Sequence, residues 1–190
     1  LTETLVSFAL VVVIGLAVSL LLWLSDSVFQ VLEPYLVILN SLPKSALAPL
    51  LIVWLGANSR TIIVAGMSVA IFGTILNLYT GFTETSREKI RLIYTLHGTK
   101  KDALTKVVLP STVPMIISIM KVNIGLCLVG VVIGEFIGAR NGLGYLIIYG
   151  SQVFQLDLVI LSILILCLMA MLLYGGVTAA EKLYHRRQHA

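Results

Sequence analysis

Ionisable and amide side chains are scarce in the long apolar runs of this chain, so those that do occur there mark where chemistry would sit. Lys121 and Asn123 lie in the run from Val113 to about Gly134, and Glu135 follows it directly. Lys44 stands between Pro43 and Pro49 in the run from Leu36 to Leu55. An ionisable residue inside such a run is by default a candidate for gating or solute contact. Glu135 falls near the far end of its run, where capping, gate stabilisation and solute contact all remain open. Lys121 falls about 12 Å inside the nearer boundary by helical rise, within reach of snorkelling or of an inner cavity. Pro43 removes a helix hydrogen bond beside Lys44, so a kink is expected there, either facing a cavity or simply packed. In Asn141-Gly142-Leu143-Gly144 the glycines suit a tight turn.

None of this suggests catalysis. Cys127 and Cys167 form no CxxC pattern and read as small apolar residues, and His97, His185 and His189 lack metal-ligand spacing. The sequence has no G-x-x-x-x-G-K-[ST] run to cradle nucleotide phosphates. The chain is expected to bind no metal or cofactor of its own.

The elements carrying these residues follow from composition. Of 190 residues, 58 % are hydrophobic and 12 % charged, with mean hydropathy +1.03. Soluble domains carry about 25 % charged residues, so this is an all-α integral membrane protein. Five spans are predicted, at 5–24, 36–55, 61–82, 113–134 and 158–180, in one transmembrane domain covering 1–190. Between the first two, Ser25 to Tyr35 reads as a connecting loop. No signal peptide is evident.

Basic residues in short loops mark the cytoplasmic side. Arg87, Lys89, Arg91, Lys100, Lys101 and Lys106 lie in 83–112, and Lys182, Arg186 and Arg187 lie in the tail. Only Arg60 and Arg140 oppose them, which places loop and tail inside and the amino terminus outside. A further helix before Leu1 would account for that unusual amino terminus.

The middle loop contains "TLHGTKKDALTKVVLPSTVP", from Thr95 to Pro114. Two helices are expected, Ser86 to Leu96 and Thr99 to Val108, with Gly98 as bend or C-cap. Pro110 and Pro114 should stop the second helix and open the next span. Ala103, Leu104 and Val107 form its apolar face, and Lys100, Lys101 and Lys106 are polar. Such a helix suits either an anionic lipid surface or a cytoplasmic partner.

This segment resembles the cytoplasmic signature loop of ABC importer permeases. Counted back from Leu109-Pro110, the family's Gly slot falls on His97 and its EAA slot on Arg91, Leu92 and Ile93. "SLPKSALAPLLIVWLG" (41–56) and "VVIGEFIGARNGLGYLI" (131–147) are similar to the nitrate, sulfonate and taurine branch of these permeases. The resemblance implies a five-helix core of the methionine-importer type, with a coupling segment that includes Leu96 and Gly98. It also implies a permease dimer, two cytoplasmic ATP-binding subunits that use ATP and magnesium, and an extracytoplasmic solute-binding protein.

Two other classes fit the pattern less fully: a membrane anchor recruiting a protein through its basic loop, and a secondary transporter. The latter would favour inverted repeats and paired intramembrane ionisable groups, and neither is legible. Along the sequence the polar residues of the spans form no selective cluster, which leaves the solute unassigned.

Overall fold

The computed structural model describes residues 1–188, and among them every regular element is helical. In chain order these are α1 (Thr2–Leu24), α2 (Asp26–Ser41), α3 (Lys44–Leu55), α4 (Ser59–Thr83), α5 (Arg87–Thr95) and α6 (Lys100–Ala103). A π-helical turn (Leu104–Val108) leads into α7 (Leu109–Gly138), followed by α8 (Leu143–Gln152) and α9 (Leu156–Gln188). His189 lies outside the described residues, as do the side chains of His185, Arg186 and Arg187.

Helices α1, α4 and α7 pack as the centre of the molecule. In lipid, apolar surface gains little by leaving one greasy neighbour for another, so small residues that let backbones approach become the adhesive. The buried stripe of α1 runs through Thr4, Ser7, Val11, Gly15, Ser19 and Leu22, at helical spacing. On α7, Gly130 and Gly134 face α4: a Cβ at Gly130 would stand 2.8 Å from Gly66 Cα and 2.9 Å from Ala65 O. Ser7 Oγ donates to Ile63 O at 3.0 Å, tying α1 to α4.

Four stretches are long and apolar enough to cross a membrane: Thr2–Leu24, Ser59–Thr83, Lys100–Gly138 and Leu156–Ala179. The predicted second span is not one helix. α2 and α3 meet at a 95° bend at Leu42–Pro43, and together they supply at most a fifth crossing. Pro43 has no N–H to continue the ladder. Ser41 Oγ donates back to Val37 O within α2, and Lys44 Nζ donates to Leu39 O, the carbonyl that Pro43 leaves without an N–H, so the end of α2 is partly satisfied across the break. The stretch expected as a loop at Ser25 to Tyr35 is instead mostly helical, since α2 starts at Asp26 directly after α1 ends.

A second departure is at the prolines. Instead of stopping at Pro110, the chain stays helical from Lys100 to Gly138. In the π turn Leu109 N donates to Leu104 O, five residues back. That wider turn sets Pro110 in what is effectively the first turn of a new helix, where its missing N–H costs little.

α4 starts where Gly56, at φ 80°, reverses the chain and Asn58 Oδ1 accepts from Arg60 N and Thr61 N. α9 packs on α8 and α7 and is otherwise largely exposed. The outcome is a molecule with two ends. The feet of α1, α4 and α7 meet the basic loop at one end, and the turn between α7 and α8 closes the other.

Candidate functional site

At the basic end, α5 stops in a Schellman arrangement. Gly98 N donates to Ile93 O at 2.9 Å and His97 N to Tyr94 O at 3.0 Å. The left-handed residue is His97, at φ 61°, rather than Gly98, the expected bend. The slot in which the resemblance asks for glycine is therefore the slot that demands φ > 0. Gly98 is needed for close approach instead, since a Cβ there would lie 2.5 Å from Ile93 Cγ2.

α6 then starts with a capping box. Thr99 Oγ1 accepts from Asp102 N, and the Asp102 carboxylate accepts from Thr99 N and Oγ1. Those bonds from Thr99, followed by the Lys106 ammonium at 2.9 Å, hold the Asp102 carboxyl well below the usual carboxylate range. Ala103, Leu104 and Val108 are buried in a cluster with Trp23, Leu78 and Phe82. The apolar face expected to meet a partner or lipid is thus turned into the protein, with Val107 half-buried beside it. Lys100 Nζ lies 3.7 Å from Asp26 and 5.3 Å from the Trp23 ring centroid, so it belongs to the same anchor.

What the loop presents outward comes from α5 and its end. Leu92, Tyr94 and Leu96 are 60 %, 47 % and 70 % exposed, and Arg91, His97 and Lys101 lie exposed among them. Pro110 is exposed and Leu109 half-buried. Sequence reasoning overlooked Tyr94, although an apolar residue two positions before Leu96 was visible.

At the opposite end Glu135 is buried, and its carboxylate accepts from Gly144 N at 2.7 Å in the first turn of α8. A carboxylate on α7 thereby satisfies an orphan donor of α8 and opposes the positive end of that helix. Gly142 supplies φ 117°, and a Cβ on it would stand 2.5 Å from the carboxyl. Gly144 is helical, and its glycine is required by a contact: a Cβ would lie 2.8 Å from Glu135 Cβ.

Between the ends, Lys44 is occupied twice, by Leu39 O and by the Phe72 ring, whose centroid is 5.1 Å from Nζ. Pro49 lies inside α3. Lys121, read as snorkelling or lining a cavity, forms an ion pair with Glu181 of α9, a partner that sequence reasoning did not consider. The sequence also showed no polar cluster in the spans, and the structure corrects this. A groove of about 420 Å³ between α2, α4 and α7 gathers Asn40, Thr74, Asn77, Ser118 and Asn123. Among the described residues no His, Cys, Asp or Glu group is arranged to hold a metal.

Comparison with known proteins bears on the whole chain. The profile of the family described as "Binding-protein-dependent transport system inner membrane component" matches residues 9–188. The formylaminopyrimidine transport permease protein ThiX of Halalkalibacterium halodurans is 29 % identical over 94 % of this chain and 71 % of its own length. A probable ABC transporter permease protein of Haemophilus influenzae is 33 % identical over 90 % of this chain and 69 % of its own. The taurine transport system permease protein TauC of Escherichia coli is 25 % identical over 96 % and 66 %. Among solved structures, the inward-facing MetNI methionine ABC transporter contains a chain that superposes with TM-score 0.76 at 19 % identity, covering 94 % of this chain and 89 % of that one. The last likeness speaks to the fold, and it is the methionine-importer type expected from the sequence.

Proposed function

Because the chain belongs to the family of binding-protein-dependent transport system inner membrane components, in the nitrate, sulfonate and taurine branch of ABC permeases, we propose that it forms the solute pathway of an importer powered by separate ATPase chains. The observation that carries this reading is the division of labour in the basic loop. Ala103, Leu104 and Val108 anchor it among the feet of α1 and α4, while Leu92, Tyr94 and Leu96 stand exposed at its tip. An anchored loop with an exposed apolar tip is what a docking segment needs if force is to pass from a partner into the spans.

In this reading two copies of the chain complete the pathway wall, and a cytoplasmic ATP-binding subunit docks on the loop of each. ATP and magnesium act in those subunits, and the pathway opens alternately to the two sides. A solute-binding protein delivers its cargo at the end closed by Glu135, Gly142 and Gly144. The cargo is a small solute of the kind named for the relatives, a sulfonate-like or nitrate-like anion or a vitamin precursor. The rival reading, a loop lying on anionic lipid through its lysines, is weakened because Lys100 and Lys106 are already paired with Asp26 and Asp102.

Co-expression with the ATPase subunit tests the proposal. Leu96→Asp should abolish copurification of the ATPase and its stimulated hydrolysis while leaving membrane insertion intact. Normal copurification for Leu96→Asp, with cross-linking of the loop to anionic lipid lost in Lys101→Glu while its ATPase still copurifies, would support the lipid reading and defeat the docking one.

A further inference from the structure

Polar groups inside a membrane protein are expensive, and those left without protein partners call for an explanation. Asn123 is 4 % exposed, and its Nδ2 has no hydrogen-bond partner among the described residues. It lines the groove between α2, α4 and α7, together with Asn40, Asn77, Ser118 and Thr74. The remaining lining is apolar or glycine. Gly73 leaves room for one of these amides, since a Cβ there would stand 3.3 Å from Asn40 Oδ1. The Thr74 hydroxyl donates to Ala70 O at 2.6 Å within its own helix, so toward the groove it can only accept.

Three carboxamides on three different helices thus converge on one space, each with a C=O acceptor and an NH₂ donor. No lining residue carries a formal charge. Of the two cations nearest in sequence to the lining, Lys121 is neutralised by Glu181, and Lys44, which keeps its charge, is held by Leu39 O and the Phe72 ring outside the lining. The walls are the middles of α4 and α7 and the C-terminal end of α2, so no lining residue belongs to a helix N-terminus that could hold an anion. A naked sulfonate or nitrate here would touch no charged group of the lining, so its desolvation would go largely uncompensated. A neutral ring with adjacent donor and acceptor atoms would find complementary partners in the carboxamides. The volume, about 420 Å³, lies within the range of small-molecule sites.

We propose that this groove is a recognition site on the solute pathway for a neutral, planar heterocycle with amide-type or amidine-type edges, read by Asn40, Asn77 and Asn123. The proposal deepens the importer reading and rests on it. A site built to hydrogen-bond its solute also rejects molecules that leave its amides unpaired.

The test uses the transporter assembled with its ATPase in lipid nanodiscs, carrying Cys167→Ala and a reporter, Val122→Cys, on the groove wall. N-ethylmaleimide labelling of the reporter is followed with nicotinamide, cytosine, taurine or nitrate present. Nicotinamide or cytosine should slow labelling, and taurine and nitrate should not. Asn77→Leu, at an exposed position that leaves the core intact, should weaken that protection by about two- to tenfold, the worth of one hydrogen bond. Asn123→Leu should weaken it at least as much. Protection by taurine or nitrate alone, or by none of the four, overturns the proposal. Copurified ATPase in the same sample shows whether the importer reading survives that failure.

Discussion

A single dihedral angle at the basic end explains a departure from the family's sequence pattern. His97 occupies the left-handed C′ slot of α5, where a Cβ meets the neighbouring carbonyl and glycine would not. His97→Gly should therefore stabilise the loop by about 1 kcal/mol and leave ATPase stimulation unchanged. A higher unfolding temperature of the purified assembly would register it, and His97→Val should move the other way. At the opposite end the decisive atom is Gly144 N. Glu135→Ala would leave that buried donor unpaired, at a cost of about 1–3 kcal/mol. Glu135→Gln keeps an acceptor and should cost clearly less, so equal losses in thermal unfolding would show that charge, not the bond, is what matters. Glu135 was visible in the sequence because a carboxylate ending an apolar run is conspicuous. Its partner was not, because the sequence says that Gly144 is small without saying what presses against it.

At the scale of elements, close packing of α4 on α7 depends on particular glycines and not on glycine as such. At Gly130 an added methyl meets backbone atoms of Gly66 and Ala65, which have no rotamer by which to yield. At Gly125, in the same helix, it meets nothing within 4 Å. Gly130→Ala should lose about 1–3 kcal/mol through overpacking. Gly125→Ala should be neutral or gain about 0.5–1 kcal/mol from helix propensity. Unfolding in detergent separates the two, and similar behaviour would mean that the helices are not held at this contact. The crossings α1, α4 and α9 were legible because uncharged apolar runs of that length have few other destinations. The junction at Leu104–Val108 was not. Pro110 argues for a stop, and only an extra residue taken up in a π turn lets the helix continue, for which Leu-Thr-Lys-Val-Val carries no signal. The inward turn of Ala103 and Leu104 was hidden for a similar reason, since an apolar face announces burial without naming what covers it.

For the whole molecule, orientation is the property that converts two ends into an inside and an outside. The basic loop and Lys182 gather toward one side, so the turn and short helix from Asn141 to Gln155 should face outward. Ser151, exposed at the end of α8, becomes the probe. Ser151→Cys should react with an impermeant maleimide added to intact cells, and labelling only after lysis would invert the topology. The groove belongs to this scale as well. Asn40, Asn77 and Asn123 are dispersed along the chain, and no periodicity links them until α2, α4 and α7 are assembled. The bend between α2 and α3 has its own consequence, for biosynthesis. Their lengths correspond to about 24 Å and 18 Å, and neither reaches across about 30 Å of hydrocarbon. During translation the two halves should therefore enter the bilayer as one hydrophobic unit, with the carbonyls at their junction only partly satisfied. That junction finds its cover only when α4 emerges from the ribosome and brings Phe72 and Gly73 against Lys44 and Asn40. A nascent chain halted before Ser59 should accordingly be held by the insertion machinery or degraded, whereas one extended past Thr83 should partition stably into the membrane.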